Sequence, residues 1–260
     1  MKTPFDKKLI LQPFSDIHNY DLSYTPPITN ADVLVCAGDM DIGYNISDWV
    51  KRVEDVHQKP MICGLGNHDF WNTSTANMTV SEWVEHYRSC NTDLTQFMYN
   101  ETKIIGNYAI IVATMWTDFQ GENPLCIRDS KLAKDFTRIR VNDDSNITAQ
   151  QMLVLYKEAR DYIVQELEKH KDKKCIVVTH YPPTISCNIT FNITPVSYYW
   201  VGFMEDVMEK YQPAAWISGH MHNTFIKKFG NTQFIMNPAG KIKNGIIQNP
   251  DFVDGLTVEI

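Results

Sequence analysis

Gly64-Leu65-Gly66-Asn67-His68-Asp69 directly follows the short apolar run Met61-Ile62-Cys63. The sequence therefore predicts that a buried strand ends here and that a loop begins. The two glycines allow the backbone to turn tightly and to approach a ligand closely. Asn67 offers a neutral oxygen to a metal ion, and His68 places a titratable ring beside it. The hexapeptide alone is weak evidence, and its weight depends on the rest of the chain.

Four other short apolar runs end in the same kinds of residue. The runs begin at Leu9, Ala31, Ile176 and Ala214, and the residues that follow them are Asp16-Ile17-His18, Gly38-Asp39, His180 and Gly219-His220-Met221-His222. Short apolar runs of this kind are typical of strands that are covered on both faces. Ligands of open α/β sheets bind beyond the carboxyl ends of the strands. We therefore expect all five strand ends to converge on one site.

The bulk properties are those of a soluble globular protein with a sizeable core. The chain has 260 residues, of which 43% are hydrophobic and 21% are charged, and its formal net charge is −7. An acidic chain is a poor match for extended nucleic acid, which requires a basic face. A nucleotide substrate stays compatible with this charge, because bound divalent cations would supply local positive charge.

Cysteine usage indicates a reducing compartment. The six cysteines are dispersed and form no CxxC pair; they are Cys36, Cys63, Cys90, Cys126, Cys175 and Cys187. The N-terminal residues 1–8 are polar, and the apolar run after them is too short for a signal peptide. No window reaches transmembrane length, so no membrane partner is expected. A cytoplasmic location is the simplest interpretation.

A short helix is predicted from Gly202 to Tyr211, and three longer helices are predicted from apolar residues at helical spacing. The longer helices run from about 47 to 57, from about 81 onward, and from about 148 to 170. Ser47, Ser81 and Thr148 are the expected N-caps, and Thr148 with Gln151 forms a capping-box pattern. The residues expected to face the core are Trp49, Val50, Val53, Val56, Trp83, Val84, Tyr87, Met152, Leu155, Tyr156, Ala159, Ile163 and Leu167.

The remaining segments complete an α/β layer pattern. Gly106-Asn107 between two β-prone runs predicts a hairpin turn. Residues 116–147 are polar and irregular, and we expect them to form an insertion over the site. The sequence shows no internal repeat, linker or domain boundary, so it predicts a single domain over residues 1–260. Alternation of strand and helix favours an α/β fold.

The candidate ligands fit two metal ions better than one. The strand-end loops contain two Asp, one Asn and four His residues, with His68 as a further candidate. This mixture of oxygen and nitrogen ligands suits Mn²⁺, Fe or Zn²⁺. Two ions bridged by one carboxylate typically lie roughly 3.5–4 Å apart and stabilise both the attacking and the leaving oxygen in displacement at phosphorus.

The ordered motifs Asp-x-His, Gly-Asp, Gly-Asn-His-Asp, His and Gly-His-x-His resemble the calcineurin-like metallophosphoesterase superfamily. Residues 115–119, 178–183 and Asn237-Pro238 resemble a branch of small single-domain bacterial and phage members. The resemblance covers nearly the whole chain. It implies a four-layer α/β/β/α sandwich.

The resemblance also implies residue roles. By it, Asp16, His18, Asp39 and His222 bind the first metal ion, and Asp39, Asn67, His180 and His220 bind the second. Asp39 is then the bridge, and a hydroxide shared by the two ions is the nucleophile. His68 is then a catalytic residue that protonates the leaving group or stabilises charge in the transition state. Asp69 is expected to orient a neighbour rather than to react.

The expected activity is hydrolysis of a phosphomonoester or phosphodiester, with a small nucleotide-type substrate as the first choice. The alternatives are a protein or general phosphomonoester phosphatase, a nuclease, and a metal-stabilised binding scaffold without turnover. Aromatic residues of two loops are open to two interpretations, contact with substrate or core packing; they are Trp116, Phe119, Tyr181, Tyr198, Tyr199 and Trp200. Outside the motifs, His57, His86 and His170 are expected to face solvent.

Overall fold

Two β-sheets pack face to face in this computed structural model, which describes residues 8–19, 24–40, 46–142, 145–189, 192–243 and 246–260. The predictions for the N-terminal residues 1–7 lie outside this part of the chain. The strands are β1 (Ile10–Phe14), β2 (Val33–Ala37), β3 (Met61–Gly64), β4 (Thr95–Met98), β5 (Glu101–Ile105), β6 (Tyr108–Ala113), β7 (Lys174–Thr179), β8 (Ala215–Ser218), β9 (Phe225–Phe229), β10 (Thr232–Met236), β11 (Ile242–Lys243), β12 (Ile246–Ile247) and β13 (Val258–Glu259). The helices are α1 (Ile46–His57), α2 (Val80–Ser89), α3 (Phe119–Glu122), α4 (Pro124–Ser130), α5 (Asp135–Arg138), α6 (Ala149–Lys169) and α7 (Glu205–Tyr211).

Both large sheets are mainly parallel. The first has the order β13-β1-β2-β3-β4, with only β13 antiparallel to its neighbour. The second has the order β5-β6-β7-β8-β10-β9, with β5 and β9 as antiparallel edge strands. The parallel pairs β6-β7, β7-β8 and β8-β10 form its centre. Parallel strands place their carboxyl ends at one edge of each sheet, where ligands bind.

Alternation along the strands divides the core into layers. One buried cluster lies between the sheets and contains residues from both, including Leu11, Val33, Val35, Ile62, Ile110, Val112, Ile176, Val178 and Ile217. Residues at the alternate positions, such as Leu34 and Cys36, belong to a second cluster with helical Trp49 and Trp83. The predicted four-layer α/β/β/α sandwich is therefore confirmed. That the chain is one domain stays a prediction.

The first predicted helix begins at a different residue and buries a different face from those that the sequence predicted. It starts at Ile46, so Ser47 lies inside its first turn. Its buried stripe follows Ile46, Val50, Val53 and His57 at spacings of four, three and four residues. Val56, one position off this stripe, is 43% exposed. His57 was expected to face solvent, but it is buried and its ring lies 2.8 Å from the carbonyl oxygen of Pro26.

The other two helices show what a capping box contributes. Thr148 and Gln151 form the predicted capping box, and α6 runs to Lys169 with its expected apolar face buried. In α2 the N-cap is Thr79 rather than Ser81, because the Glu82 carboxylate accepts a hydrogen bond from the backbone N–H of Thr79 and the Thr79 hydroxyl accepts one from the backbone N–H of Glu82. The expected core residues Trp83, Val84 and Tyr87 are buried.

Two histidines outside the motifs are half-buried, which contradicts the prediction that they face solvent. The His86 ring packs edge-on against Trp83 with ring centroids 5.6 Å apart. The His170 side chain is 15% exposed, and its Nε2 lies 3.3 Å from a carboxylate oxygen of Glu166.

Residues 116–142 are more ordered than their composition indicated. They contain α3, α4 and α5, although Gln120 and Gly121 within α3 have left-handed backbones. Cys126, Ile139 and Asp135 are buried. The hairpin prediction is confirmed, since Gly106-Asn107 joins β5 to β6 and Ile105 pairs with Tyr108. Among the described residues, no helix has both the length and the apolar composition of a membrane span.

We expect Ile163→Ala to lower the free energy of unfolding by about 2–5 kcal/mol, because the side chain is fully buried on α6 and its loss leaves a cavity. The control is Val154→Ala on the same helix, where the side chain is 54% exposed. That variant should stay within about 0.5 kcal/mol of the wild type. Urea unfolding followed by circular dichroism measures both. Equal losses would contradict the assigned face of α6.

Candidate metal centre

Every predicted site residue lies in a segment that follows the carboxyl end of a strand, and His68 begins a short 3-10 helix there. Asp16 and His18 follow β1, Asp39 follows β2, Asn67 and His68 follow β3, His180 follows β7, and His220 and His222 follow β8. Three of these strands belong to the first sheet and two to the second. The two sheets therefore converge on one centre at their carboxyl edges.

The backbone of this centre is strained. Five of its residues have a left-handed backbone: Asp16 (φ 51°), His18 (φ 39°), Asp39 (φ 55°), His220 (φ 72°) and His222 (φ 50°). Such conformations cost about 1–3 kcal/mol each for residues other than glycine and concentrate at functional sites. The surrounding packing holds the loops in conformations that the isolated chain disfavours.

A first group of ligand atoms comes from Asp16, His18 and His222. The Nε2 atoms of the two histidines lie 3.1 Å apart, and Nε2 of His222 lies 3.3 Å from Oδ1 of Asp16. All three ligand atoms fall within 4.8 Å of one another. A second group comes from Asp39, His180 and His220, with the same spacing.

Asp39 contacts both groups through different oxygens. Its Oδ2 lies 3.7 Å from Nε2 of His18, and its Oδ1 lies 3.4 Å from Nε2 of His180. Oδ1 also accepts a hydrogen bond of 2.9 Å from the backbone N–H of His68. A carboxylate placed in this way is suited to bridge two cations.

Potential ligand atoms of the second group converge on Nε2 of His180, an arrangement that a proton or a cation would stabilise. Nδ1 of His180 lies 2.8 Å from the carbonyl oxygen of Ala37, so Nδ1 carries a proton, and Nε2 presents a lone pair whenever the ring is neutral. Asn67 donates its amide N–H₂ to Asp135, so its Oδ1 faces that Nε2 at 3.0 Å. Nδ1 of His220 approaches the same Nε2 to 3.1 Å. This donor set fits a divalent ion.

The first group is oriented by a comparable device. Gln248 Oε1 accepts the backbone N–H of Lys241 at 3.1 Å, which identifies that atom as the oxygen. Nδ1 of His222 lies 3.0 Å from this oxygen and must carry the proton. When the His222 ring is neutral, its Nε2 therefore presents a lone pair on the side of Asp16 and His18. The residues of the first group thus also fit a cation.

Electrostatics prepares most of these ligands in their metal-binding forms. Burial lowers the pKa of His18 to about 4, so its ring is neutral near pH 7. Burial opposes ionisation of Asp16, but the hydrogen bond and charge of His222 bring its pKa down to about 2. Burial alone would lower the pKa of His180, yet the charge of Asp39 raises it to about 10. A proton on His180 takes the place of a cation in the metal-free protein.

Asp69 orients the loops, as the sequence indicated. Its carboxylate accepts hydrogen bonds from the backbone N–H groups of Asp39 (2.9 Å), Met40 (3.1 Å) and Gly66 (2.7 Å). Burial, together with the charge of Asp39, raises the pKa of Asp69 to about 8. Its contacts tie the loop after β2 to the loop after β3.

A family model described as calcineurin-like phosphoesterase matches residues 14–224. The chain belongs to this family. The match spans all eight residues of the centre, and the family assignment makes the protein a metal-dependent phosphoester hydrolase. No curated protein sequence matches the chain.

Solved structures of this phosphoesterase fold resemble the chain at low sequence identity. The phosphopantetheinyl hydrolase of Mycobacterium tuberculosis superposes with a TM-score of 0.71 at 17% identity, covering 90% of each chain. TT1561 of Thermus thermophilus superposes with a TM-score of 0.50 at 11% identity, covering 89% of this chain and 90% of the other. At such identities the likeness shows the fold.

His68 of this phosphoesterase lies at the edge of the centre. Its ring centroid is 4.6 Å from that of His18, and its ring stacks on Trp71 with centroids 3.5 Å apart. A nitrogen of His68 also falls within 4.8 Å of ligand atoms of His18 and Asp39. Burial lowers the pKa of His68 to about 3.

The structure divides the aromatic candidates. Four of the aromatic side chains are buried in the core and expose no surface to a substrate; they are Trp116, Phe119, Tyr181 and Tyr199. Tyr181 instead stacks on His220 with centroids 4.2 Å apart. Trp200 borders a cavity of about 200 Å³ that is also lined by His220, Met221, His222 and Gln248. Tyr198 packs against Phe203.

Sequence reasoning missed the residues that hold the ligands in place. Asp135, Trp71 and Gln248 each contact a ligand or His68, but none belongs to a motif. Trp71 lies three residues after His68, and this proximity was the one available signal. Asp135 and Gln248 are distant in sequence from their partners, so their roles emerge only from the fold.

We expect Gly66→Ala to weaken metal binding by more than about tenfold. A Cβ atom there would lie 2.1 Å from Oδ1 and 2.6 Å from the backbone nitrogen of Asp39, and 2.8 Å from Cε1 of His180. The control is Gly64→Ala, whose nearest contact is a Val112 methyl at 3.2 Å. Calorimetric titration of each variant with Mn²⁺ measures the change. Similar affinities for the two variants would contradict the proposed close approach.

We expect metal affinity to rise with pH between pH 6 and pH 8. The pKa of His180 is raised to about 10, so its proton is bound throughout this range and must leave when a metal binds. The slope approaches about tenfold per pH unit for one displaced proton. Zn²⁺ titrations in two buffers of different ionisation enthalpy count the protons released. Binding without proton release at pH 7 would contradict the protonation state of His180.

Proposed function

We propose that this hydrolase uses two metal ions to cleave an ester of a small phosphorylated substrate. The shared position of Asp39 between the two ligand groups is the observation that carries the proposal. Asp16, His18, Asp39 and His222 would hold the first ion. Asp39, Asn67, His180 and His220 would hold the second. Mn²⁺, Fe and Zn²⁺ are the candidate ions, because the ligands combine carboxylate, amide and imidazole groups.

When bound, the two ions would activate water as the nucleophile and stabilise the attacking and leaving oxygens at phosphorus. The protein builds each ligand group from both sheets and orients the His180 and His222 rings by hydrogen bonds to Ala37 and Gln248. Asp39 stays ionised, because His180 holds its pKa well below the usual range despite burial. These features preorganise the centre before any substrate binds.

His68 is the proposed catalytic residue. Its ring stacks on Trp71 and lies beside His18, at the edge of both ligand groups. Burial keeps the ring neutral in the free protein. A negatively charged phosphoryl group close to the ring would raise the pKa of His68 and favour its protonated form. His68 would then donate a hydrogen bond or a proton to the substrate oxygen.

A small substrate fits the surroundings of the centre. The adjacent cavity of about 200 Å³ has room for a small group next to His220 and His222, and Trp200 offers an aromatic surface at its border. A nucleotide-type phosphodiester remains the first choice. The phosphopantetheinyl hydrolase with the same fold makes phosphopantetheinyl compounds a second class to test. The net charge of −7 disfavours extended nucleic acid, although cations at the centre would offset it locally.

The cytoplasm is the proposed location. All six cysteines are free thiols. Cys36 and Cys63 are register partners on neighbouring strands, and burial raises the pKa of both thiols. Buried protonated thiols are unreactive, which is consistent with a reducing compartment.

The proposal predicts metal-dependent turnover that requires His68. Metal-stripped protein would be supplied with Mn²⁺, Fe²⁺, Zn²⁺ or Mg²⁺ and assayed with para-nitrophenyl phosphate and bis(para-nitrophenyl) phosphate. His68→Ala should lower kcat by about 10²–10⁴-fold with two ions still bound, because general acid catalysis is lost. Asp39→Asn should lose activity together with metal affinity. His170→Ala, which changes a half-buried histidine of the α6 C-terminus, is the matched control.

Each alternative has its own outcome in this assay. Two bound ions without turnover of any substrate would favour a binding scaffold. A single bound ion at saturation would exclude the dinuclear centre. Faster cleavage of oligonucleotides than of either reporter would favour a nuclease. Preference for the monoester would favour a general phosphatase. Normal activity of His68→Ala in metal-loaded protein would overturn the role of His68.

A further inference from the structure

Asp135 is a buried carboxylate that lies outside every motif. It begins helix α5 in the segment that was predicted to be irregular, and it is only 3% exposed. Its two oxygens accept hydrogen bonds from the Asn67 amide, from Nε1 of Trp71 and from the Tyr199 hydroxyl. An ionised carboxylate is an acceptor only, so it suits a position that is surrounded by donors.

One of these contacts controls a proposed metal ligand. Asn67 Nδ2 lies 2.9 Å and 3.2 Å from the two Asp135 oxygens. The two ends of an amide have nearly the same shape, so hydrogen bonds alone decide which end faces the metal centre. With Asp135 holding the nitrogen, the Asn67 oxygen faces His180 at 3.0 Å. The reversed amide would present N–H groups to a cation and would repel it.

A second contact supports the proposed catalytic residue. Asp135 holds the Trp71 ring by its Nε1–H group, and the face of that ring stacks on His68 at an interplanar angle of 24°. The hydrogen bond to Asp135 fixes the orientation of the Trp71 ring, and the stacked Trp71 ring restrains the His68 ring in turn. Nδ1 of His68 is buried without a hydrogen-bond partner among the described residues. The stacking on Trp71 is therefore a principal restraint on the His68 ring.

We propose that Asp135 is a positioning residue that orients both Asn67 and His68, so that helix α5 controls the second metal position and the catalytic ring together. This inference rests on the proposed roles of Asn67 and His68. It assigns a function to α5 that the sequence pattern did not indicate. Asp135 would act through its two neighbours without contact to substrate or metal.

Three variants test separately whether Asp135 orients Asn67 and whether it orients His68 through Trp71. Asp135→Asn keeps the size of the side chain but turns one acceptor into a donor, which opposes the three donors around it. Trp71→Phe keeps an aromatic ring but removes the Nε1–H group, and it leaves the Asn67–Asp135 contact in place. Tyr199→Phe is the matched control, because it removes one buried hydrogen bond of Asp135 and leaves the contacts of Asp135 with Asn67 and Trp71 in place.

Mn²⁺ affinity and stoichiometry would be measured by titration calorimetry, and kcat and KM with bis(para-nitrophenyl) phosphate. We expect Asp135→Asn to weaken the second Mn²⁺ by about 10–100-fold, to leave the first unchanged, and to lower kcat more than KM changes. Trp71→Phe should lower kcat about tenfold with both Mn²⁺ affinities unchanged. Tyr199→Phe should stay within about twofold of the wild type in both Mn²⁺ affinities, in kcat and in KM.

Unchanged Mn²⁺ binding in folded Asp135→Asn would show that Asp135 does not orient Asn67. Unchanged kcat in Trp71→Phe would show that Asp135 does not orient His68 through Trp71. If Asp135→Asn does not fold, Trp71→Phe still tests the proposal. Losses in Tyr199→Phe equal to those in Asp135→Asn would show a structural role only. If the wild type binds two Mn²⁺ ions but hydrolyses nothing, the proposed function fails, whereas the affinity measurements still test Asp135.

Discussion

Three carboxyl groups, those of Asp16, Asp39 and Asp69, are buried at the centre, and the groups around them offset the cost of their burial. Burying an ionised carboxylate is costly unless it is paired or hydrogen-bonded. Asp69 accepts hydrogen bonds from backbone N–H groups, and Asp16 accepts one from the backbone N–H of His220. Asp39 lies 3.4 Å from Nε2 of His180. Divalent cations would complete this compensation.

The fold delivers these loops because two parallel sheets share one edge. The cluster between the two sheets consists of buried hydrophobic residues, among them Leu11 and Ile217, and the packing of this cluster fixes the distance between the sheets. Thr179 and Ser218 at the ends of β7 and β8 hydrogen-bond to one another at 3.0 Å and hold the second sheet's loops in register. Asp39 then lies between ligands from both sheets. A core that contains no catalytic residue thereby sets the distances on which the chemistry depends.

The sequence predicted the strand ends and the alternation of strand and helix, because each of these leaves a local pattern, whereas the four layers were implied by the family resemblance. Short apolar runs followed by Asp, Asn or His needed no knowledge of distant contacts. The N-cap Thr79 was also recoverable, since Glu82 stands three residues later. His57 was not, because its buried partner is the carbonyl oxygen of Pro26, 31 residues away. The helices of 119–138 escaped detection because their buried residues are too sparse to form a stripe.

Asp135 shows why long-range contacts matter most in the polar part of the site. Its partners are 68 and 64 residues away in sequence, and no spacing rule connects them. Among the proposed ligands, Asn67 alone is uncharged in every protonation state, so no titration can turn its oxygen toward a cation. Only a neighbouring acceptor can do so. A neutral ligand therefore requires a second residue to define it, and the chain supplies that residue from a segment that contributes no ligand itself.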